Sequence, residues 1–202
     1  MNLHFSTDPL KEKIVELRHL AYENYYKDKV LLSGLDWNSI DEKSTHLSLS
    51  IDSQMVCYLR ISVFSDIHQF LKTTQIPLIT PDPDTPYVLL SRGATHPNFN
   101  SLGFHSILRR CALEICLNSG LYNIYGSLES RSARLDQLLS LGYKIVNRAS
   151  TWPQSYIKNT GDVVLIQLKG KNRVKAASQK IGTEHKLISP CILQKIYPKN
   201  YI

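Results

Sequence analysis

The chain has 202 residues, is 43% hydrophobic and carries a formal net charge of +7 at pH 7. That length suits one domain, or one domain with an extension, and the apolar fraction is enough to build a core. No apolar run approaches a membrane span and no cationic-then-apolar leader opens the sequence, so we expect a cytoplasmic protein.

Asp8-Pro9 reads as a helix start, with Asp8 as the cap and Pro9 in the first turn. Ile14, Leu17, Ala21 and Tyr25 mark an apolar face, and Tyr22, Tyr25 and Tyr26 crowd its end. Leu31 to Thr45 has little periodicity and reads as a loop or short helix carrying Asp36-Trp37 and Asp41-Glu42. His46 to Ile51 and Met55 to Val63 predict a hairpin around Asp52-Ser53. Ser65 to Pro86, rich in Pro and Asp, predicts a long loop with one helical turn near Ile67 to Leu71. The apolar run Tyr87 to Leu90 predicts a central strand. From Phe104 the period becomes helical, through Ile107/Leu108, Cys111 and Ile115 to a stop at Asn118-Ser119-Gly120. Leu121 to Leu128 reads as a strand. Ser130 then caps a helix carrying Leu135, Leu138, Leu139 and Leu141, ended by Gly142. Tyr143 to Ala149 and Val163 to Leu168 are the last strands. Cys57 and Cys111 sit on apolar faces as core residues, and the cysteines have no metal-ligand spacing. The order implies an α/β layered fold with a central mixed sheet. Charge divides the chain: residues 1–168 hold equal numbers of Lys/Arg and Asp/Glu, whereas 169–202 hold eight cations and one acid, Glu184. We read 1–168 as the domain and 169–202 as a solvated basic extension.

Between strand and helix lies Ser91-Arg92-Gly93-Ala94-Thr95-His96-Pro97 and a polar turn ending at Gly103. The first helical N–H groups, Gly103 to Ser106, have no intrahelical partner and form a cradle for a phosphate. This stretch resembles the acyl-donor-binding core of the GNAT superfamily of N-acyltransferases. The resemblance implies a GNAT-like fold, a twisted mixed sheet flanked by helices. It also implies a pantetheine arm held along the strand at Ala94 and Thr95, with its pyrophosphate at Asn100, Gly103, Phe104, His105 and Ser106. The family's loop reads Arg/Gln-x-x-Gly-x-Gly/Ala. Here Asn100 stands first, Gly103 matches, and His105 replaces the last small residue, where a bulky side chain crowds a diphosphate. The pattern Arg18, Tyr22, Trp37, Asp41, His46, Arg60 is similar to the acyl-homoserine-lactone synthases and the related N-acyl amino acid synthases. These are GNAT-fold enzymes that take fatty acyl groups from acyl carrier protein. Leu138 to Leu168 is similar to their leucine-rich helix, Gly-aromatic turn and terminal strands, so the resemblance spans roughly residues 8–168. Two departures matter. Leu89 stands where the lactone synthases have a Glu three residues before the strand Arg, which points to another acylated amine. Leu138 stands where acetyltransferases often carry a Tyr that protonates the leaving thiolate.

Acyl transfer needs a neutral amine, a polarised thioester carbonyl and a stabilised oxyanion. Backbone N–H groups at Arg92 to Thr95 meet the second need with no special side chain. Arg18 either pairs a carboxylate of the Asp36 to Glu42 loop or faces solvent. Arg60 interrupts an apolar strand and needs a partner if buried. Arg92 is expected to meet Asp41 or Glu42, which are also candidate anchors for the acceptor's amine. His46 is a candidate base, or a structural residue at a strand start. Glu129 orders water or holds an amine, or is a surface carboxylate. His96 shapes its turn, and Trp152-Pro153 lines an acyl pocket or packs under a loop. The catalytic set is thus Arg18, Asp41, His46, Arg60, Arg92 and Glu129, with no metal and no permanently bound cofactor. The leading function is N-acyl transfer from acyl carrier protein, an acidic partner suited to the basic tail, to an amino acid or similar amine. The alternatives are an acetyl-coenzyme A acetyltransferase and a non-catalytic module whose tail contacts nucleic acid or anionic lipid. Against the last, no aromatic residue interleaves the cations between Lys169 and Lys195.

Overall fold

The computed structural model describes residues 3–6, 9–27, 30–78, 86–150 and 161–184. Seven strands form one mixed sheet in the order β1-β2-β3-β4-β5-β7-β6. β1 (Leu3–Ser6), which the sequence pattern does not announce, adds antiparallel to the edge of β2 (Thr45–Ile51). β2 and β3 (Gln54–Phe64) form the expected hairpin. Its turn residues Asp52 and Ser53 both have positive φ, 47° and 72°, a twist that suits a two-residue hairpin loop. β4 (Tyr87–Thr95) runs antiparallel to β3 and parallel to β5 (Asn123–Glu129). β7 (Val163–Lys169) lies between β5 and β6 (Lys144–Ala149), antiparallel to both.

Helices cover both faces of the sheet. α1 (Lys11–Tyr26) buries Ile14, Leu17 and Arg18, and packs with Met55, Tyr58 and Ala94. The expected cap, Asp8, lies outside the described residues; Leu10 occupies the cap position without a side-chain bond. Tyr25, assigned by periodicity to the apolar face, is 62% exposed, because the buried stripe passes through Arg18 and Tyr22 instead. α2 (Ile67–Thr74), longer than the single turn expected, is capped by Asp66, whose carboxylate accepts from the His68 N–H. It covers a small aromatic core of Phe64, Phe70, Tyr87 and Tyr125. The opposite face is the main core. There α3 (Phe104–Asn118) lays Phe104, Ile107, Leu108 and Cys111 over alternate residues of β2 to β5, and α4 (Ala133–Ser140) adds Leu135 and Leu138. Ser132, not Ser130, caps α4. Cys57, Cys111 and Cys116 are buried thiols of this core, the latter two pushed up by burial to about 12. Among the described residues no helix is long and apolar enough to cross a membrane.

The last element corrects the reading by charge. Lys171–Glu184 is a helix, α5, in which Val174, Ala177, Ser178 and Ile181 are buried at spacings of three and four residues. Val174, Ala177 and Ile181 belong to the main core, and Ser178 donates its hydroxyl proton to the Glu114 carboxylate on α3. Lys171, Arg173, Lys175 and Lys180 occupy the exposed face. Residues 171–184 are therefore part of the domain and not of a solvated tail; residues 185–202 lie outside the described residues. Ile181→Ala should lower the stability measured by urea denaturation by about 2–4 kcal/mol, the cost of emptying a buried aliphatic site. A melt that does not move would mean that α5 contributes nothing to the fold.

Candidate active site

The site begins where the sheet comes apart. β4 and β5 pair only at Val88↔Ile124 and Leu89↔Tyr125. Beyond that point β4 is tied to β3 alone, and it carries one extra residue: Arg60 opposes Ser91 while Tyr58 already opposes Ala94. The bulge places Arg92 in the left-handed region at φ 56°. Bulges twist and bend the strand that bears them, which turns the end of β4 away from β5. The parting occurs after Leu89. Between the strands opens a cleft of about 220 Å³. Leu90 to Thr95 form one wall, Gly126 to Glu129 the other, and the C-terminal turn of α1 brings Tyr22, Tyr25 and Tyr26 to its mouth. Past Leu89 the edge of β4 offers N–H and C=O groups that no neighbouring strand takes.

Behind one wall lies a buried ion cluster. Asp41 accepts from Arg18 Nη2 at 2.6 Å and Nη1 at 3.1 Å, and from Arg60 Nη1 at 2.8 Å. The Asn38 backbone N–H adds a fourth bond at 3.1 Å. Arg18 and Asp41 have no solvent exposure and Arg60 has 3%. Burial by itself would push the Asp41 carboxyl up. The hydrogen bonds and charges of the two guanidinium groups outweigh it and hold the group down, from 3.8 to about 2. With two cations and one anion the cluster keeps a net positive charge. Arg60 lines the cleft, where its Nε donates to Ser91 Oγ at 3.1 Å.

His46 is placed beside this cluster by strand register, directly opposite Arg60. Its Nε2 lies 2.8 Å from the Asp41 carbonyl, which can only accept, so Nε2 carries the proton. Nδ1 then accepts from the Tyr58 hydroxyl at 2.8 Å, and that hydroxyl accepts from Arg18 Nη2 at 2.8 Å. Trp37 stacks on the imidazole, and burial lowers its pKa. Both ring nitrogens are engaged and the ring does not line the cleft. His46 serves as structural support for Asp41 and Tyr58, which corrects its reading as a candidate base.

At the other end, Gly103 caps α3 in the left-handed region, at φ 79°, as only glycine does readily. Phe104 points into the core, and Ser106 Oγ accepts from Gln137 at 3.3 Å, outside the cleft. Asn100 and His105 line it. The His105 ring is half-buried and lies against Gly93 so closely that a Cβ built there would overlap Nε2. Burial, with the charges of Arg134 and Arg109, holds this imidazole well below its ordinary pKa.

No protein-family model matches the chain, and no curated protein sequence is significantly similar to it. Solved structures are. A CoA-dependent acyl-homoserine lactone synthase, BjaI, solved with SAM and isopentyl-CoA, matches with a TM-score of 0.60 at 14% identity, over 85% of this chain and 81% of its own. The ribosomal-protein-S18-alanine N-acetyltransferase of Escherichia coli matches with a TM-score of 0.53 at 12% identity, over 83% and 94%. PaiA N-acetyltransferase of Thermoplasma acidophilum, in complex with coenzyme A, matches with a TM-score of 0.53 at 10% identity, over 84% and 100%. The chain has the GNAT fold.

On that fold the candidates sort into groups. Arg60, Arg92, Glu129, Ala94, Thr95, Asn100 and His105 line the cleft; Arg18 and Asp41 stand behind Arg60; His46, Phe104 and Ser106 do not reach it. Arg92 was expected to meet Asp41, but Arg18 and Arg60 fill that carboxylate. Glu42 is exposed. Trp152-Pro153 lies outside the described residues. Sequence reasoning missed Arg109 on α3 and Arg134 on α4, both in the cleft lining. Their sequence signal is only that each falls off the apolar stripe of its helix, as most surface cations do.

Replacing Asp41 by Asn leaves two buried cations without a counter-ion and should lower stability by about 3–5 kcal/mol. The sign of the pH dependence follows from a lowered carboxyl. The stability Asp41 supplies is complete above about pH 4 and is lost as pH falls toward about 2. Urea midpoints measured across that window should fall more steeply for wild type than for Asp41→Asn. Parallel slopes would mean that the carboxylate is not held by the two arginines.

Proposed function

We propose that this protein is an N-acyltransferase that moves an acyl group from a pantetheine thioester, carried by acyl carrier protein, to the amine of an amino acid or a similar small acceptor. The observation that carries this reading is the open edge of β4 facing the cleft. A pantetheine arm is an extended chain with two amides, and it docks on such an edge as an added strand would. Its thioester then lies between the parted strands, near the backbone N–H groups of the Arg92 bulge, which polarise the carbonyl and stabilise the oxyanion of the tetrahedral intermediate. To Glu129, which lines the cleft from β5, we assign removal of the proton of the attacking ammonium, directly or through a water. Arg60 and Arg92 make the adjacent wall cationic, which suits an acceptor that carries a carboxylate beside its amine.

The carrier is favoured by two features. The exposed face of α5 presents Lys171, Arg173, Lys175 and Lys180, a surface that attracts an acidic partner. His105 lies where the resemblance to the GNAT loop implies a small residue. We place the protein's action in the cytoplasm, where such a carrier works. The second reading is transfer from an acyl-coenzyme A, and the similarity to BjaI and PaiA favours it, since their structures were solved with a coenzyme A species.

Purified full-length protein, incubated with medium- and long-chain acyl carrier proteins and a mixture of amino acids, should release N-acyl amino acids detectable by mass spectrometry. Glu129→Gln should lower kcat about 100-fold with the fold intact, the usual contribution of a positioned base. Absence of any acylated amine, with either acyl carrier protein or acyl-coenzyme A as donor, would overturn the reading.

A further inference from the structure

Arg60 is only 3% exposed, yet it lines the cleft. Its donors are unequally used. Nη1 donates to Asp41 Oδ1 at 2.8 Å and Nε to Ser91 Oγ at 3.1 Å. Nη2 donates to no described residue, and it is not sealed in the interior as Arg18 Nε is. A charged donor so nearly buried and left without a partner is costly, and an anion in the cleft would remove that cost. We propose, resting on the acyltransferase reading above, that Arg60 is the specificity-determining residue for the acceptor. Its Nη2 holds the acceptor's carboxylate, so the substrates are amino acids with a free carboxylate and not simple amines.

The charges at this wall leave a place for one more anion. Arg18 and Arg60 both donate to Oδ1 of the same carboxylate, so the cluster retains one positive charge. Burial lowers the Arg60 pKa, Asp41 opposes that, and the charge of Arg92 adds to the lowering. A carboxylate at Nη2 acts with Asp41 against both effects. Glu129, the acid of the lining, makes no ion pair with Arg60. Ser91 stands opposite Arg60 in the β3–β4 register and holds Nε while Asp41 holds Nη1. With two corners of a planar group tied down, the third has one direction left to it. In the sheet β4 lies between β3 and β5. An amino acid held on β3 by its carboxylate then extends its amine toward the strands assigned to the thioester and to Glu129.

Acceptor analogues test this on the unaltered full-length protein. Each common amino acid is compared with its amide and its decarboxylated amine, using acyl carrier protein and acyl-coenzyme A as donors. For the best acceptor, kcat/KM should fall roughly 30-fold in the amide and in the amine, mainly through KM, as expected for loss of a hydrogen bond to a charged group. Binding is read separately: the amino acid should raise the melting temperature and its amide should not. Arg60→Lys keeps a charge beside Asp41 but has no planar fork to serve Asp41, Ser91 and a substrate together, so the preference for amino acid over amide should fall about tenfold. Ser91→Ala leaves the Arg60–Asp41 pair in place and, by freeing Nε, should narrow the same preference, which decides the matter if Arg60→Lys does not fold. Amides and amines used as well as amino acids, or a preference unmoved in the folded variants, would overturn the proposal and leave the acyltransferase reading standing. No acylated product from any acceptor, with a melting shift still confined to amino acids, would overturn the acyltransferase reading and leave the carboxylate site.

Discussion

The carboxylate of Asp41 joins three segments that are remote in sequence: the loop that carries it, α1 through Arg18, and β3 through Arg60. Bringing three ions out of water costs several kcal/mol apiece, and only geometry close to ideal offsets that. Here the geometry is close to ideal, with Arg18 bidentate and Asn38 closing the remaining acceptor site. Any displacement of α1 would strand a guanidinium in the core. That requirement fixes α1 over β3 and β4, and with it the tyrosines that end the helix at the cleft mouth. Tyr58 and His46 continue the network toward Trp37, so the wall behind the cleft is held by directional bonds rather than by apolar packing alone. Rigid support of this kind is what a site needs if it is to hold reacting groups in one geometry.

The same cluster decides the character of the cleft. Its surplus positive charge sits directly behind the wall, and Arg60 is both a member of the cluster and part of the lining. Arg92, Arg109 and Arg134 extend the field, with Glu129 on the facing strand. In a half-enclosed space the attraction for an anion is stronger than on open surface, because water screens it less. The strands' parting creates the space, and the bulge at Arg92 creates the parting. The cleft therefore depends on a backbone irregularity and on charges brought from five elements.

What the sequence discloses follows from which forces have a period. Alternation and apolar runs placed β2 to β7 to within a few residues, because sheet burial repeats along the chain. α5 was hidden by its own surface. Val174, Ala177, Ser178 and Ile181 have a helical period, but the lysines around them dominate any composition-based reading of the segment. Arg60 was identified as a charge in need of a partner because it interrupts an apolar strand; Arg18 was left between solvent and a carboxylate of the Asp36 to Glu42 loop, in which Asp41 is one of three acids. His46 stood between a candidate base and a structural residue, and only its contacts separate the two. A histidine's role depends on what meets its two nitrogens, and neither the Asp41 carbonyl nor the Tyr58 hydroxyl has a sequence signal that points to it. Arg109 and Arg134 were invisible because a helix's polar side has no mark to show whether solvent or a cleft faces it.

His105 on α3 and Gly93 on β4 meet beside the cleft, where the helix carries the bulk and the strand across from it carries no side chain at all. In a close-packed interior the volume at such a contact is constrained jointly, and the tip of the imidazole stands where a side chain at residue 93 would need room. Neither residue is interpretable alone. Gly93 on its own reads as a flexible point in a strand, and His105 on its own as a departure from a motif. Taken together they bring the tip of the imidazole against the backbone of β4.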